Sequence, residues 1–294
     1  MHLSIRDEIV FAAGYTILAH GLHDLGIHSV ELWVRRDDTV PAIAPQRDPE
    51  GRQRLNLTVP ADVDELYGQA RAEQVHIAAL CMGNNFNATD KKAEFAWAVR
   101  TVQAAQALNA PAVRIDAIMS GEKDLALEQR QQLVAEAVQH ILVQTEETKV
   151  DLGIENHGFQ GNDPVFLAGL LERVNSPRLG LTLDSGNFYW RGWPLAKVYD
   201  IFTQFAPVVK HTHIKNIAYP PEIRETQREM GYEYDKYVSP IHEGDIDHAR
   251  YITILQHAGY DRDICLEDES LGKFTPEQRQ ANLRASADFF RPLL

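Results

Sequence analysis

Short apolar runs alternate with longer amphipathic stretches along the 294-residue chain. Such runs, bounded by polar and turn-forming residues, are typical of buried parallel strands, and the stretches between them have the spacing of amphipathic helices. Eight units of strand and helix favour a single (β/α)8 barrel, spanning residues 1–294, rather than an open sheet. The predicted strands are residues 2–5, 29–33, 75–81, 112–116, 151–155, 179–184, 208–214 and 263–267.

Several helices have recognisable first residues. One is predicted to open at Thr89, and residues 126–144 form another long helical stretch. Asp163 followed by Pro164, and Thr275 followed by Pro276, combine an N-cap residue with proline at the first helical position. The polar segment 217–247, between strands seven and eight, is too long for a simple connection, and we expect a loop or small insertion over the active face.

The alternation of side chains within the last four strands is the most informative pattern. In each strand the leucine and isoleucine side chains next to the last ionisable residue lie on the opposite face, so that ionisable residue points to the barrel interior. Asp184 follows Glu155 by 29 positions, and His213 follows Asp184 by 29, which is one strand–helix unit per step. The sequence therefore predicts convergence at the carboxyl ends of the strands, where barrel enzymes have their active sites, of Glu155, Asp184, His213 and Glu267.

Three carboxylates and an imidazole in one place require compensation, because carboxylates forced together raise one another's pKa. A divalent cation supplies that compensation. Oxygen ligands with one nitrogen suit Mn²⁺, Mg²⁺, Co²⁺ or Zn²⁺, so we expect one such ion and leave its identity open.

Composition narrows the range of partners. The formal net charge is −13 and the pI is about 5.4, which disfavours nucleic acid and anionic membranes as partners. Cys81 and Cys265 lie inside apolar stretches and are predicted to be reduced core residues of a cytoplasmic protein. No signal peptide and no apolar run of the roughly 20 residues that a membrane helix needs is recognisable.

Several motifs together resemble those of a known family. GIENHGF (153–159), LTLDSGN (181–187), KHTHIKN (210–216), EGDID (243–247) and GYDRDICLEDE (259–269) resemble the xylose isomerase-like barrels. Within these barrels they are similar to the sugar phosphate isomerase/epimerase group, which shares its fold with apurinic endonucleases. The resemblance implies one metal ion held by the same four residues and a small sugar or polyol as substrate. It also implies pairing into a homo-oligomer, for which segment 217–247 is a candidate interface.

The resemblance also implies the chemistry. The metal binds neighbouring carbonyl and hydroxyl oxygens of a sugar, acidifies the C–H between them and stabilises an ene-diolate, while Glu155 and Glu267 act as base and acid from opposite sides. Proton return then gives an epimer or an isomer, and loss of a β-hydroxyl gives a dehydratase or lyase. The sequence leaves these three outcomes open.

One departure from the motifs bears on these alternatives. Asn187 stands where many epimerases of the group have histidine, and the Asp-x-His pair of the endonucleases is missing after the seventh strand. The trinuclear zinc site of the endonucleases is therefore incomplete. Together with the acidic charge, this disfavours a phosphodiesterase. A non-catalytic scaffold is disfavoured because all four ligands are present.

Further residues are candidates for substrate contact, each beside a structural alternative. His157 is either a sugar ligand or a loop histidine bonded to backbone, and Lys215 either meets a substrate oxygen or phosphate or lies at the rim. Arg114 either orients substrate or pairs with Asp116. Asn187 is expected to replace a substrate-contacting histidine. Tryptophans after strand ends either stack on a sugar ring or pack; these are Trp33, Trp190 and Trp193.

Two further residues complete the set. His211 is expected to support the site rather than to ligate the ion. Glu31 ends the second strand and is a weaker candidate, because the arginines of the following WVRR are close enough in sequence to pair with it.

Overall fold

Eight parallel strands form the centre of the molecule. The computed structural model describes residues 1–44 and 54–294; residues 45–53 of the predicted domain lie outside the described residues. We number the barrel strands β1 (His2–Arg6), β2 (Ser29–Val34), β3 (His76–Met82), β4 (Ala112–Ile115), β5 (Asp151–Glu155), β6 (Leu179–Asp184), β7 (Val209–His213) and β8 (Asp263–Leu266).

The strands follow one another around a ring. The sheet order is β8-β1-β2-β3-β4-β5-β6-β7, with parallel pairing at every step. Two backbone hydrogen bonds close the ring between β7 and β8: Ile214 N donates to Cys265 O (2.8 Å), and Glu267 N donates to Ile214 O (2.9 Å). The closed ring confirms the predicted (β/α)8 barrel.

One principal helix follows each strand and covers the outside of the barrel. These helices are α1 (Leu18–Leu25), α2 (Pro60–Ala72), α3 (Lys91–Ala107), α4 (Leu127–Gln144), α5 (Pro164–Val174), α6 (Leu195–Phe205), α7 (His248–His257) and α8 (Pro276–Phe290). One-turn or two-turn helices also occur in the connections, at Asp7–Ala12, Gly158–Gly161, Asn187–Trp190 and Tyr234–Tyr237. The apolar outer faces of the strands and the inner faces of the helices form one buried core.

The predicted elements match the structure closely, with strand ends that differ by at most one residue. The caps of α5 and α8 are confirmed: Asp163 accepts from Val165 N, and Thr275 forms a capping box with Gln278. The predicted start at Thr89 is wrong, because α3 begins at Lys91 and the carboxylate of Asp90 accepts from the third helical amide. Asp90 supplies the N-cap, so both Thr89 and Asp90 lie outside the helix.

The connection between β7 and α7 has structure of its own. Residues Asn216–Ile217 pair antiparallel with Val238–Ser239, and between them lie a 3-10 turn at Pro221–Ile223 and the helix Tyr234–Tyr237. Tyr234 of that helix donates to Glu269, which lies just beyond β8. The connection is therefore bonded to residues beside the carboxyl ends of the strands.

Two further expectations concern the chain as a whole. Cys81 and Cys265 are both buried free thiols. In the described parts of the chain, no helix combines the length and the apolar character that a membrane span needs.

Candidate metal centre at the carboxyl ends of the strands

The four residues that strand alternation selects meet inside the barrel. Glu155 and Asp184 end β5 and β6, His213 ends β7, and Glu267 follows β8 directly. Each offers one ligand atom, these atoms lie within 4.8 Å of one another, and all four side chains are buried. The sequence-based expectation that they converge therefore agrees with the geometry.

Asp184 is oriented by the turn that follows it. Its Oδ1 accepts from the backbone amides of Gly186 (2.7 Å) and Asn187 (2.8 Å). The side chain of Asn156 bonds both the N–H and the carbonyl of Asp184, which holds the end of β6 against the end of β5. As a result Oδ2 is left buried without a hydrogen-bond partner, facing the other candidate ligands.

His213 is oriented from the opposite side. Its Nε2 contacts both oxygens of Glu31, at 3.0 and 2.9 Å. A carboxylate partner keeps a ring proton on Nε2, so Nδ1 is the nitrogen that offers a lone pair once the imidazolium has lost its other proton. Nδ1 has no hydrogen-bond partner and lies 3.5 Å from Glu155 Oε2 and 3.4 Å from Glu267 Oε2.

Two arginines flank the carboxylates. Arg114 pairs with Glu155 and with Asp116, the latter at 2.7 Å, so the predicted ion pair between Arg114 and Asp116 is confirmed. Arg6 pairs with Glu267 Oε1, while Glu267 Oε2 is buried without a hydrogen-bond partner. Sequence reasoning missed Arg6. Alternation within β1 places Arg6 on the same inward face as Ser4. The pattern that selected the other inward residues could therefore have found Arg6 as well.

Lys215 lies among the candidate ligands rather than at the rim. Its Nζ is 3.2 Å from Asp184 Oδ2, 3.3 Å from Glu267 Oε2 and 2.6 Å from Glu269 Oε1. The side chain is buried, and its ammonium partly offsets the charge of these three carboxylates. In this conformation it is bonded to the protein rather than free to meet a substrate.

The donor set fits a divalent cation. Asp184 Oδ2, His213 Nδ1 and Glu267 Oε2 are all buried and lack hydrogen-bond partners, although polar atoms in protein interiors are normally satisfied. Together with Glu155 they supply three oxygens and one nitrogen. A second group, composed of Glu31, His211, His213 and Cys265, also lies close together, but its carboxylate and imidazoles are already bonded to one another. The first group is therefore the better metal site.

The charges in this site are strongly coupled. Burial raises the pKa of Asp184 to about 8, helped by the neighbouring carboxylates and opposed by Lys215. Burial by itself lowers the pKa of His213, but Glu31 and Glu267 raise it to about 9. Burial opposes ionisation of Glu155 too, yet the charges of Arg114 and His213 hold its pKa well below the usual range. Glu155 is thus ionised at neutral pH.

The predicted substrate-contacting residues surround this centre. Asn187 Nδ2 donates to Glu155 Oε1 at 3.0 Å. The imidazole of His157 bonds Asp116 at 2.8 Å, and 39% of the side chain is exposed, so the ring remains accessible from the mouth. Trp33 is half-buried, with the guanidinium of Arg6 5.5 Å from its ring.

The other tryptophans and Glu31 are placed differently from one another. The indole of Trp193 donates to Asn162 O at 3.1 Å, a packing role, and Trp190 lies against Gly231.

The expectation that Glu31 pairs with the arginines after it is wrong. Glu31 points inward to the two histidines and to Arg6, whereas residues 35 and 36 lie beyond the strand and are exposed.

A layer of bonded polar groups lies beneath the centre. His211 contacts Glu31 through Nε2 (2.9 Å) and Asp263 through Nδ1 (3.0 Å), and Ser4 donates to Asp263 at 2.7 Å. The chain of contacts runs through the barrel interior from β7 to the amino ends of β1 and β8. It holds Glu31 from below, in agreement with the supporting position expected for His211.

Comparison with known proteins places this geometry in context. The family described as xylose isomerase-like TIM barrel matches residues 20–293. None of the curated protein sequences is significantly similar to the chain.

Solved structures with the same fold are similar over nearly their whole length. The IolI protein with a binding zinc atom has 16% identity and a TM-score of 0.71, covering 100% of this chain and 99% of its own. D-psicose 3-epimerase in the presence of D-fructose has 12% identity and a TM-score of 0.71, with the same coverage. The probable 3-DHS dehydratase AsbF from Bacillus anthracis has 16% identity and a TM-score of 0.67, covering 97% and 98%.

Proposed function

Because the chain belongs to the xylose isomerase-like TIM barrel family, we propose that it is a metal-dependent isomerase or epimerase of small sugars or polyols. The reaction is proton transfer next to a carbonyl, through an ene-diolate. The observation that carries the proposal is the set of three buried ligand atoms that lack hydrogen-bond partners beside the ionised Glu155, at the barrel end where such enzymes act. The structures similar in fold include an epimerase.

The ligands of the ion are Glu155, Asp184, His213 and Glu267 in this proposal. When bound, a divalent ion polarises a carbonyl and stabilises negative charge that develops on the neighbouring oxygen. Manganese, magnesium, cobalt and zinc all suit this donor set.

The two glutamates carry the protons. Glu155 is held as a carboxylate by Arg114 and fixed by the amide of Asn187, so it is the candidate base. Glu267 is held by Arg6 through Oε1 and by Lys215 at Oε2 (3.3 Å), and it is the candidate proton donor and acceptor on the other side. His157, at the mouth beside Asp116, is placed to hold a sugar hydroxyl. Trp33, half-buried beside Arg6, is the candidate that covers the sugar ring.

A dehydratase or lyase is the second candidate. The same proton abstraction precedes loss of a β-hydroxyl, and one protein similar in fold is described as a probable dehydratase. Asn187 supports this candidate, because many epimerases of the group have a histidine at that position.

The test is hydrogen exchange. The protein loaded with Mn²⁺ or Zn²⁺ is incubated in D₂O with a panel of ketoses and inososes, and NMR follows deuterium entering the carbon beside the carbonyl. Glu155→Gln and Glu267→Gln should each slow exchange by about 10²–10⁴-fold. Glu172→Gln, an exposed residue of α5, is the matched control and should leave the rate unchanged.

The products then separate the candidates. Epimers and isomers keep the mass of the substrate, and a dehydratase releases water. Unchanged exchange in Glu155→Gln would contradict its role as base, and absence of exchange with every substrate would contradict the proposed function.

A further inference from the structure

Three basic side chains surround the ring of Phe159 at the carboxyl-end face of the barrel. Lys123 Nζ lies 5.6 Å from the ring centroid, Arg130 Cζ 5.2 Å and Arg191 Cζ 5.4 Å. We call these four residues the Phe159 basic cluster. Each cation lies within about 6 Å of the same ring, so any two of them are at most about 12 Å apart.

The cations of this cluster have no acidic partner. Throughout residues 1–44 and 54–294, no carboxylate lies within ion-pair distance of Lys123, Arg130 or Arg191, although the protein as a whole has a net charge of −13. Arg130 is only 8% exposed, and its Nε is buried without a hydrogen-bond partner; Nε of Arg191 is also buried and unpartnered. The aromatic face offsets part of this charge, but a ring does not replace the acceptors that buried guanidinium groups require.

The position of Arg130 in its helix adds to the imbalance. It lies in the first turn of α4, an 18-residue helix whose amino-terminal amides are electropositive. A buried cation is unfavourable there, whereas an anion is favoured both by the amides and by the guanidinium groups. An anion bound at the cluster resolves both the missing acceptors and the unfavourable helix position.

The cluster is close to the candidate metal centre. Phe159 follows Glu155 by four residues, so their Cα atoms are at most about 14 Å apart. Arg191 N donates to Asn187 O (2.8 Å), one helical turn away, and the side chain of Asn187 reaches Glu155. Phe159 and Arg191 therefore belong to the connections that directly follow the strand ends of Glu155 and Asp184.

We propose that the Phe159 basic cluster binds the phosphoryl group of a phosphorylated sugar substrate. This inference rests on the proposed function and specifies its substrate class. Three cations favour a phosphate over a carboxylate, because a phosphate monoester has a charge of about −1.5 to −2 and three acceptor oxygens, whereas a carboxylate has one charge and two oxygens. Lys215 is bonded to three carboxylates and does not take this part.

The first test measures binding of inorganic phosphate to the metal-free protein by isothermal titration calorimetry. We expect a Kd on the order of 1 mM. Arg130→Gln and Arg191→Gln should each weaken binding by about 10- to 100-fold, as expected for loss of a charge-assisted hydrogen bond. Arg71→Gln, an exposed arginine at the opposite end of the barrel, is the charge-matched control and should bind as the wild type does.

Folding of the variants is checked by circular dichroism and thermal unfolding. Arg130 is buried, so Arg191→Gln, at a half-buried position, keeps the test decisive if Arg130→Gln does not fold. Equal phosphate affinity in the wild type and in Arg191→Gln would overturn the inference, as would no measurable binding to the wild type.

The second test uses turnover and separates the inference from the proposed function. With D-fructose 6-phosphate and D-fructose as probes of hydrogen exchange, the wild type should have the lower KM for the phosphorylated sugar, and Arg191→Gln should remove most of that difference with little change in kcat. Exchange with equal KM for both sugars would overturn the phosphate site and leave the isomerase proposal standing. Phosphate binding that depends on Arg191 without exchange of any sugar would contradict the proposed function alone.

Discussion

Glu31→Gln tests how the protein prepares His213 to hold a metal ion. The carboxylate of Glu31 contacts Nε2 of His213 (2.9 and 3.0 Å), Nε2 of His211 (2.9 Å) and Nε of Arg6 (3.2 Å). Burial alone raises the pKa of Glu31, but the two histidines outweigh it and hold the pKa well below its usual range. Glu31 is therefore an anion that accepts from both rings.

Glutamine keeps the volume of the side chain but has a single acceptor oxygen. Its amide N–H₂ must then face one of the two imidazole nitrogens, where it meets an N–H rather than a lone pair. If that ring is His213, its proton moves to Nδ1 and the lone pair for the metal is lost. Loss of such a carboxylate partner typically weakens metal binding by about 10- to 100-fold, or about 1.4 to 2.8 kcal/mol.

Metal affinity is measured by calorimetric titration of the metal-free protein with Mn²⁺, and independently by competition with a chromophoric chelator. Glu73→Gln is the matched control, because Glu73 faces a histidine at the surface, His23, at 3.6 Å and far from the centre. A folded Glu31→Gln protein that binds Mn²⁺ within about twofold of wild type would refute the argument that Glu31 orients His213.

Three further predictions concern pH and packing. Metal affinity should rise as pH increases towards 9. Burial raises the pKa of Asp184 to about 8, neighbouring carboxylates raise that of His213 to about 9, and both protons must leave before metal binds. Calorimetric titrations that give the same Kd from about pH 6 to 9 would contradict this. Burial lowers the pKa of His248 to about 4, against about 6.5 in an unfolded chain. The unfolded state therefore takes up the proton first, so about 3 kcal/mol of stability should be lost as pH falls from about 6.5 to 4, and His248→Leu should flatten that part of the urea-unfolding profile. Gly180→Ala should lower the free energy of unfolding by about 2–3 kcal/mol, because the added Cβ would lie 1.9 Å from a backbone oxygen. Its control, Gly68→Ala in α2, meets no atom within 4 Å and should raise stability by about 0.5–1 kcal/mol; equal melting temperatures for the two variants would refute the packing argument.

The barrel and the convergence of its four acidic and histidine residues were predictable because both depend on local periodicity. A strand repeats every two residues, so the leucine and isoleucine positions of β5 and β6 already determine which way Glu155 and Asp184 point. Parallel strands in a closed ring bring their carboxyl ends together, which joins residues far apart in sequence.

The partners of these residues were not predictable in the same way. Glu31 was expected to pair with arginines nearby in sequence, and instead it contacts a histidine 182 positions away. Arg6 is 261 positions from Glu267 and was overlooked. Contacts of this kind depend on which strands are neighbours across the barrel and on how far each side chain extends, and a single sequence records neither.

By itself the sequence determined the fold class, the inward orientation of the candidate ligands and the acidic character of the chain, since each follows from residue type and spacing. Only the tertiary structure decided which atoms lack hydrogen-bond partners. Asp184 Oδ2, His213 Nδ1 and Glu267 Oε2 face one another and Lys215, because Gly186, Glu31 and Arg6 bind the other side of each group. The same holds for the Phe159 basic cluster, whose Arg130 and Arg191 come from different parts of the chain and have buried, unpartnered Nε atoms because the fold places them together without an acid. Burial removes water as an alternative partner, so the location of each charge, rather than its presence in the sequence, determines what it binds.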